Sequence, residues 1–106
     1  MMLKFKTYQD LIEIAKITYQ KGLVTASSGN ISLRLDENTI LITSHGSSFG
    51  FLKKEDLVKV NLDGRVISSK KGKKPSSELP LHLAIHKNLN PKIVFHTHPK
   101  FTNAFF

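Results

Sequence analysis

The chain has 106 residues, 40% of them hydrophobic, with 16 Lys and Arg against 8 Asp and Glu and a formal charge of +8. That length suits one small globular domain over residues 1–106, and the absence of cysteine excludes disulfide frameworks, thiolate metal sites and cysteine nucleophiles, so any metal must be held by nitrogen and oxygen. The positive charge is compatible with nucleic acid, an acidic membrane surface or a phosphorylated substrate, and does not by itself choose among them.

Met1 to Lys6 runs straight into an amphipathic segment, and no stretch of about 18 consecutive apolar residues occurs, so the expectation is a cytoplasmic, soluble protein without a membrane partner. Thr7-Tyr8-Gln9-Asp10 has the form of a capping box. Tyr8, Leu11, Ile12, Ala15 and Tyr19 then recur at helical spacing as far as Gly22, which predicts a helix over 7–21. Ile31 and Leu33 alternate with Ser32 and Arg34, Asp36-Glu37-Asn38 reads as a turn, and Thr39 to Thr43 reads as the second strand of a hairpin. A second hairpin is expected where Val58 to Asn61 and Arg65 to Ser68 flank Leu62-Asp63-Gly64, because Asp-Gly tolerates positive φ.

Ser69 to Lys74 is a cationic loop. Lys70, Lys71, Lys73 and Lys74 lack interleaved aromatics, so the cluster reads as solvated surface, with no nucleic-acid partner. Pro75-Ser76-Ser77 leads into a helix whose apolar positions Leu81, Ala84, Ile85 and Leu89 share a face, with Pro80 tolerated in the first turn. Asn90-Pro91 ends it, and Lys92 to His96 is a candidate buried strand. The order of helix, strands, helix and strand indicates an α/β or α+β sheet protein.

The strand closes on Val94-Phe95-His96-Thr97-His98-Pro99. Strand residues alternate faces, so His96 and His98 point the same way with Cβ atoms about 7 Å apart and can converge on one ion. A catalytic zinc typically takes three protein ligands, so two histidines are one short; the alternative is a pair of polar residues at a strand end. Glu78, at the start of the second helix, is either a charge that complements the helix dipole or a functional carboxylate. Glu78, His82 and His86 are four apart, so a helical Glu/His metal site is formally possible, but an ordinary exposed polar face is the simpler reading. Ser27-Ser28-Gly29-Asn30 and Ser76-Ser77 offer hydroxyls and backbone N–H groups to an anion, although serine is also the ordinary N-cap and Gly-Asn the ordinary turn.

Five blocks, "GLVTASSGNIS" (Gly22 to Ser32), "ILIT" with its glycine loop (Ile40 to Gly46), "KKEDLVKVNLDGRV" (Lys53 to Val66), "PSSELPLHLAIH" (Pro75 to His86) and "HTHP", together resemble the class II aldolase/adducin family in order and spacing. The resemblance implies an α/β/α sandwich around a largely antiparallel sheet and metal-dependent chemistry on sugar phosphates by aldolases, epimerases and dehydratases. Pro-Ser-Ser-Glu is most like the fuculose-phosphate aldolase branch, which implies a zinc-dependent lyase that cleaves a phosphorylated ketose through an enediolate. Carried over by position, Gly29, Asn30, Ser44, Gly46, Ser76 and Ser77 resemble the phosphate-binding residues, Glu78 the catalytic acid/base, and His96 and His98 two ligands of Zn2+. Homotetramers with active sites near subunit interfaces are implied as well.

The family domain is longer than this chain. Its third zinc histidine and a catalytic tyrosine are expected in the part beyond Phe106, so the chain reads as the N-terminal part of an apparently truncated domain. His45 stands where the aldolases carry a small residue, and reads as a solvated loop residue or a phosphate contact. The spacing from Gly46 through Gly50 to Leu52 is also similar to the methylthioribulose-1-phosphate dehydratase branch. The neighbouring expectations are therefore that dehydratase, a sugar-phosphate 4-epimerase, or a non-enzymatic, adducin-like or inactive module.

Overall fold

The computed structural model describes residues 7–22 and 29–96. Within them lie α1 (Thr7–Gln20), β1 (Asn30–Arg34), β2 (Thr39–Thr43), β3 (Leu57–Asn61), β4 (Val66–Ser68), α2 (Leu79–Leu89) and β5 (Ile93–His96), with short 3-10 turns at Phe49–Phe51, Lys54–Asp56 and Lys70–Gly72. The strands form one sheet in the order β4-β3-β2-β1-β5, every neighbouring pair antiparallel.

Alternation along the central strands splits the apolar residues between two layers. Ile31, Leu33 and Leu41 join Leu11 and Ala15 of α1, with Phe49, Leu52 and Leu57, in one buried cluster. Ile40, Ile42, Val58 and Val60 form the other, against Leu79 and Leu83 of α2. A helix on each face gives the expected α/β/α sandwich. The four aliphatic side chains of the second cluster are fully buried, each contributing about 1.5–3 kcal/mol relative to exposure.

The turns follow their sequence chemistry. In the first hairpin Asn38 N–H donates to Asp36 Oδ1, and the Arg34 guanidinium donates to the carbonyls of Asp36 and Glu37. In the second, Asn61 Oδ1 accepts from the N–H groups of Asp63 and Arg65, while Gly64 takes φ +89°. Asn90, in the left-handed region at φ 49°, ends α2 as its sequence suggests.

Two expectations about burial are corrected. The face of α2 turned to the sheet carries Leu79, His82, Leu83 and His86, whereas Leu81, Ala84 and Leu89 are exposed and Ile85 is half-buried. The apolar stripe read from the sequence therefore faces outward, and the supposedly exposed histidines are in the interior. β5 is an edge strand among the described residues, hydrogen-bonded to β1 alone, and only Val94 is buried in it.

Candidate functional site

β1 sends Ile31 and Leu33 to the α1 layer, so Asn30, Ser32 and Arg34 face α2. A polar strand face is costly to bury unless it is satisfied, and α2 satisfies it. Ser32 Oγ lies 2.6 Å from His82 Nδ1 and 2.7 Å from His86 Nε2. His82 Nε2 is hydrogen-bonded to Asn30 Oδ1, and Arg34 Nη1 donates to the His86 carbonyl at 3.0 Å. Ser32, His82 and His86 are all fully buried.

That burial acts on the imidazoles. His82 is pushed down to about 4, first by desolvation and then by the neighbouring His86 and His96. His86 is lowered by desolvation and by Arg34, with the Pro91 carbonyl opposing. Each ring at neutral pH is therefore neutral, with one N–H and one lone pair.

One end of the sheet gathers the residues expected to hold phosphate. Thr43 is the hub: its hydroxyl accepts from Ile31 N–H at 3.2 Å, and its carbonyl accepts from Ser76 N–H at 2.9 Å. Ser44 bridges to Pro75, Ser44 N–H donates to the Asp56 carbonyl, and His45 N–H donates to the Lys74 carbonyl. Gly46 follows at φ +77°, a conformation suited to glycine. The Ser44–Gly46 loop and the Ser76–Ser77 turn are thus tied together by backbone hydrogen bonds, and the Thr43 hydroxyl links them to the start of β1, next to Asn30. Gly29 is buried beside Asn30; Ser76 is buried, Ser77 exposed, and His45 exposed. The cationic loop is anchored nearby through Lys73, ion-paired with Asp56.

Glu78 occupies the N-cap of α2 without a side-chain cap hydrogen bond. Its N–H donates to Ser76 Oγ at 3.2 Å, and its carbonyl accepts from the Leu81 and His82 N–H groups. The carboxylate instead approaches His96, with Oε2 3.9 Å from Nδ1. Register explains the approach, since His96 pairs with Asn30 across β5 and β1. One nitrogen and one oxygen donor side by side fit the donor types that zinc accepts, although among the described residues no group of three or more His, Asp or Glu gathers at one point. His98 lies outside the described residues, as do Ser27, Ser28 and the residues from Thr97 onward.

Residues 9–106 match the Class II Aldolase and Adducin N-terminal domain family. The chain belongs to this family. It is 43% identical over 97 residues to an L-fuculose phosphate aldolase of Methanococcus maripaludis, covering 91% of this chain and 51% of that protein. A 3-oxo-tetronate 4-phosphate decarboxylase of Pectobacterium atrosepticum is 40% identical over 97 residues, covering 90% of this chain and 43% of the relative. Among solved structures, YgbL from Escherichia coli superposes with a TM-score of 0.80 at 36% identity, covering 89% of this chain and 44% of that one. The chain spans about half the length of the curated relatives it matches.

Sequence reasoning singled out Gly29, Asn30, Ser44, Gly46, Ser76, Ser77, Glu78, His96 and His98; all but His98, which lies outside the described residues, come to one end of the sheet. It missed Ser32 and Thr43, and assigned His82 and His86 to the surface. The available signal was a serine at an inward position of β1 together with histidines at i and i+4 on α2, polar groups that can satisfy one another only if strand and helix pack together. A separate apolar cavity of about 290 Å³ lies between α1 and the β1/β5 edge, lined by Leu11, Ile14, Ile31, Leu33 and Ile93, and shares no residue with this site.

Proposed function

We propose that this chain is the N-terminal part, in one domain over residues 1–106, of a zinc-dependent lyase that cleaves a phosphorylated ketose in the manner of fuculose-phosphate aldolase. The observation that carries the reading is the approach of the Glu78 carboxylate to His96, 3.9 Å apart, beside the joined Asn30, Ser44–Gly46 and Ser76–Ser77 segments. Both relatives' names denote carbon–carbon cleavage of a phosphorylated substrate.

In this reading Gly29, Asn30, Ser44, Gly46, Ser76 and Ser77 bind the phosphate through hydroxyls, backbone N–H groups and the Asn30 amide. His96 and His98 hold Zn2+ with a third ligand from outside the described residues. Bound zinc supplies Lewis-acid polarisation of the sugar oxygens. Glu78 takes and returns the proton as the carbon–carbon bond breaks, from the N-cap of α2 beside His96. The exposed Leu81 and Leu89 on the outer face of α2 are apolar surface that an oligomer would cover, consistent with a homotetramer. Among the described residues no helix is long and apolar enough to cross a membrane; a cytoplasmic location is part of the proposal.

A second reading, decarboxylation of a phosphorylated sugar acid, is favoured by the 40% identity to the decarboxylase. It uses the same phosphate residues and the same metal. The two are separated by assaying the zinc-loaded protein on L-fuculose 1-phosphate and on 3-oxo-tetronate 4-phosphate. Glu78→Gln is expected to abolish turnover of the preferred substrate while zinc content stays at the wild-type level. Normal turnover by Glu78→Gln would remove this carboxylate from the mechanism.

A further inference from the structure

Behind Asn30, the buried residues His82, Ser32 and His86 form a hydrogen-bonded chain for which the proposed chemistry has no use. An asparagine amide presents an oxygen on one side and an NH2 on the other, and a half-turn exchanges them. An anion accepts only the NH2. Whatever fixes that half-turn decides whether Asn30 attracts or repels phosphate.

The contacts determine the direction. Asn30 Oδ1 can only accept, so His82 Nε2 carries the proton. The neutral His82 then has a bare Nδ1, which accepts a hydrogen bond from the Ser32 hydroxyl across 2.6 Å. Ser32 Oγ in turn accepts from His86 Nε2–H across 2.7 Å. His86 Nδ1 is left bare, and that buried atom makes no hydrogen bond of ordinary geometry. Reversing every proton would turn an N–H of His86 toward the neighbouring Pro91 carbonyl, but it would also turn the Asn30 oxygen toward the anion. With phosphate bound, only the first direction is favourable.

We propose that His82 is a positioning residue that holds the Asn30 amide with its N–H donors toward the phosphate, and that Ser32 and His86 fix the tautomer by which it does so. The inference rests on the reading of Asn30 as a phosphate-binding residue. His82 touches no substrate; it acts through Asn30 alone.

Two measurements on the full chain test it. With imidazole nitrogens labelled and inorganic phosphate at saturation near neutral pH, a long-range proton–nitrogen spectrum is expected to find His82 as the Nε2–H tautomer; an Nδ1–H tautomer would overturn the proposal. Phosphate affinity is then compared by calorimetric titration in wild type, His82→Gln and His82→Asn. Gln can place an N–H where Nε2 was, whereas Asn reaches only the Nδ1 position. His82→Asn is expected to bind inorganic phosphate about tenfold more weakly, the loss of one hydrogen-bonding partner, with His82→Gln within about threefold of wild type. A merely structural histidine would lower the stability of both variants without separating their affinities, and equal affinities would overturn the proposal. Failure of the wild-type chain to bind phosphate would remove the anion role of Asn30, and the positioning role with it. Binding by wild type and His82→Asn alike would remove the positioning role only.

Discussion

Replacing Ser32 by alanine removes a single hydroxyl that two buried imidazoles share. Ser32 is fully buried, and its Oγ serves His82 Nδ1 at 2.6 Å and His86 Nε2 at 2.7 Å. Neither nitrogen can reach water in the variant, and a buried polar atom left without its partner costs about 1–3 kcal/mol. Two such atoms give an expected loss of about 2–6 kcal/mol, a large part of the roughly 5–15 kcal/mol that stabilises an ordinary domain. Urea unfolding followed by far-UV circular dichroism reads this as a lower midpoint with an unchanged slope. Combining Ser32→Ala with His86→Leu is expected to cost less than the sum of the two, because one orphaned nitrogen disappears. The reference is Ser47→Ala, which removes a half-buried hydroxyl donating to the Ser44 carbonyl and should cost only about 0.5–1.5 kcal/mol. If Ser32→Ala costs no more than Ser47→Ala, the interior chain is not a structural constraint and the reasoning fails.

Acid should destabilise the fold through the same histidines. The unfolded chain binds a proton on His82 near 6.5 and the folded chain only near 4, so stability falls as pH drops through that window. His82 alone accounts for about 2 kcal/mol between pH 7.5 and pH 5, measurable as a shift in urea midpoint that His82→Gln should reduce. Gly46→Ala should cost about 1 kcal/mol in a thermal melt: φ is +77°, and a Cβ there would meet nothing within 4 Å, so the penalty is backbone strain alone. Asn90→Ala, at φ 49° where α2 ends, should likewise cost about 0.5–1 kcal/mol.

Periodicity located the elements and misjudged part of their orientation. The strand pairs 31–34 with 39–43 and 58–61 with 65–68 were legible because alternation and turn chemistry agree with the final pairing. The face of α2 was not. Leu81, Ala84, Ile85 and Leu89 make the more apolar stripe, yet the sheet opposite presents Asn30 and Ser32, which an aliphatic stripe would leave unsatisfied. Polar complementarity across 50 residues of sequence outweighed hydrophobic patterning within one helix. β5 read as buried because Ile93, Val94 and Phe95 are all apolar, but burial of a strand depends on its neighbours, and among the described residues it has one, β1. Glu78 could not be decided from sequence either: a carboxylate at a helix start is an ordinary dipole partner, and only the pairing of Asn30 with His96 brings an imidazole to it.

The most direct test of a zinc site built on the strand that ends at His96 is metal content. Zinc per chain, measured after dialysis against a weak chelator, should be stoichiometric in the wild-type full-length protein, which carries the third ligand, and fall sharply in its His96→Ala variant, because loss of one of about three ligands opens the site. Equal zinc in the two proteins, or none in the wild type, would contradict the proposed metal centre.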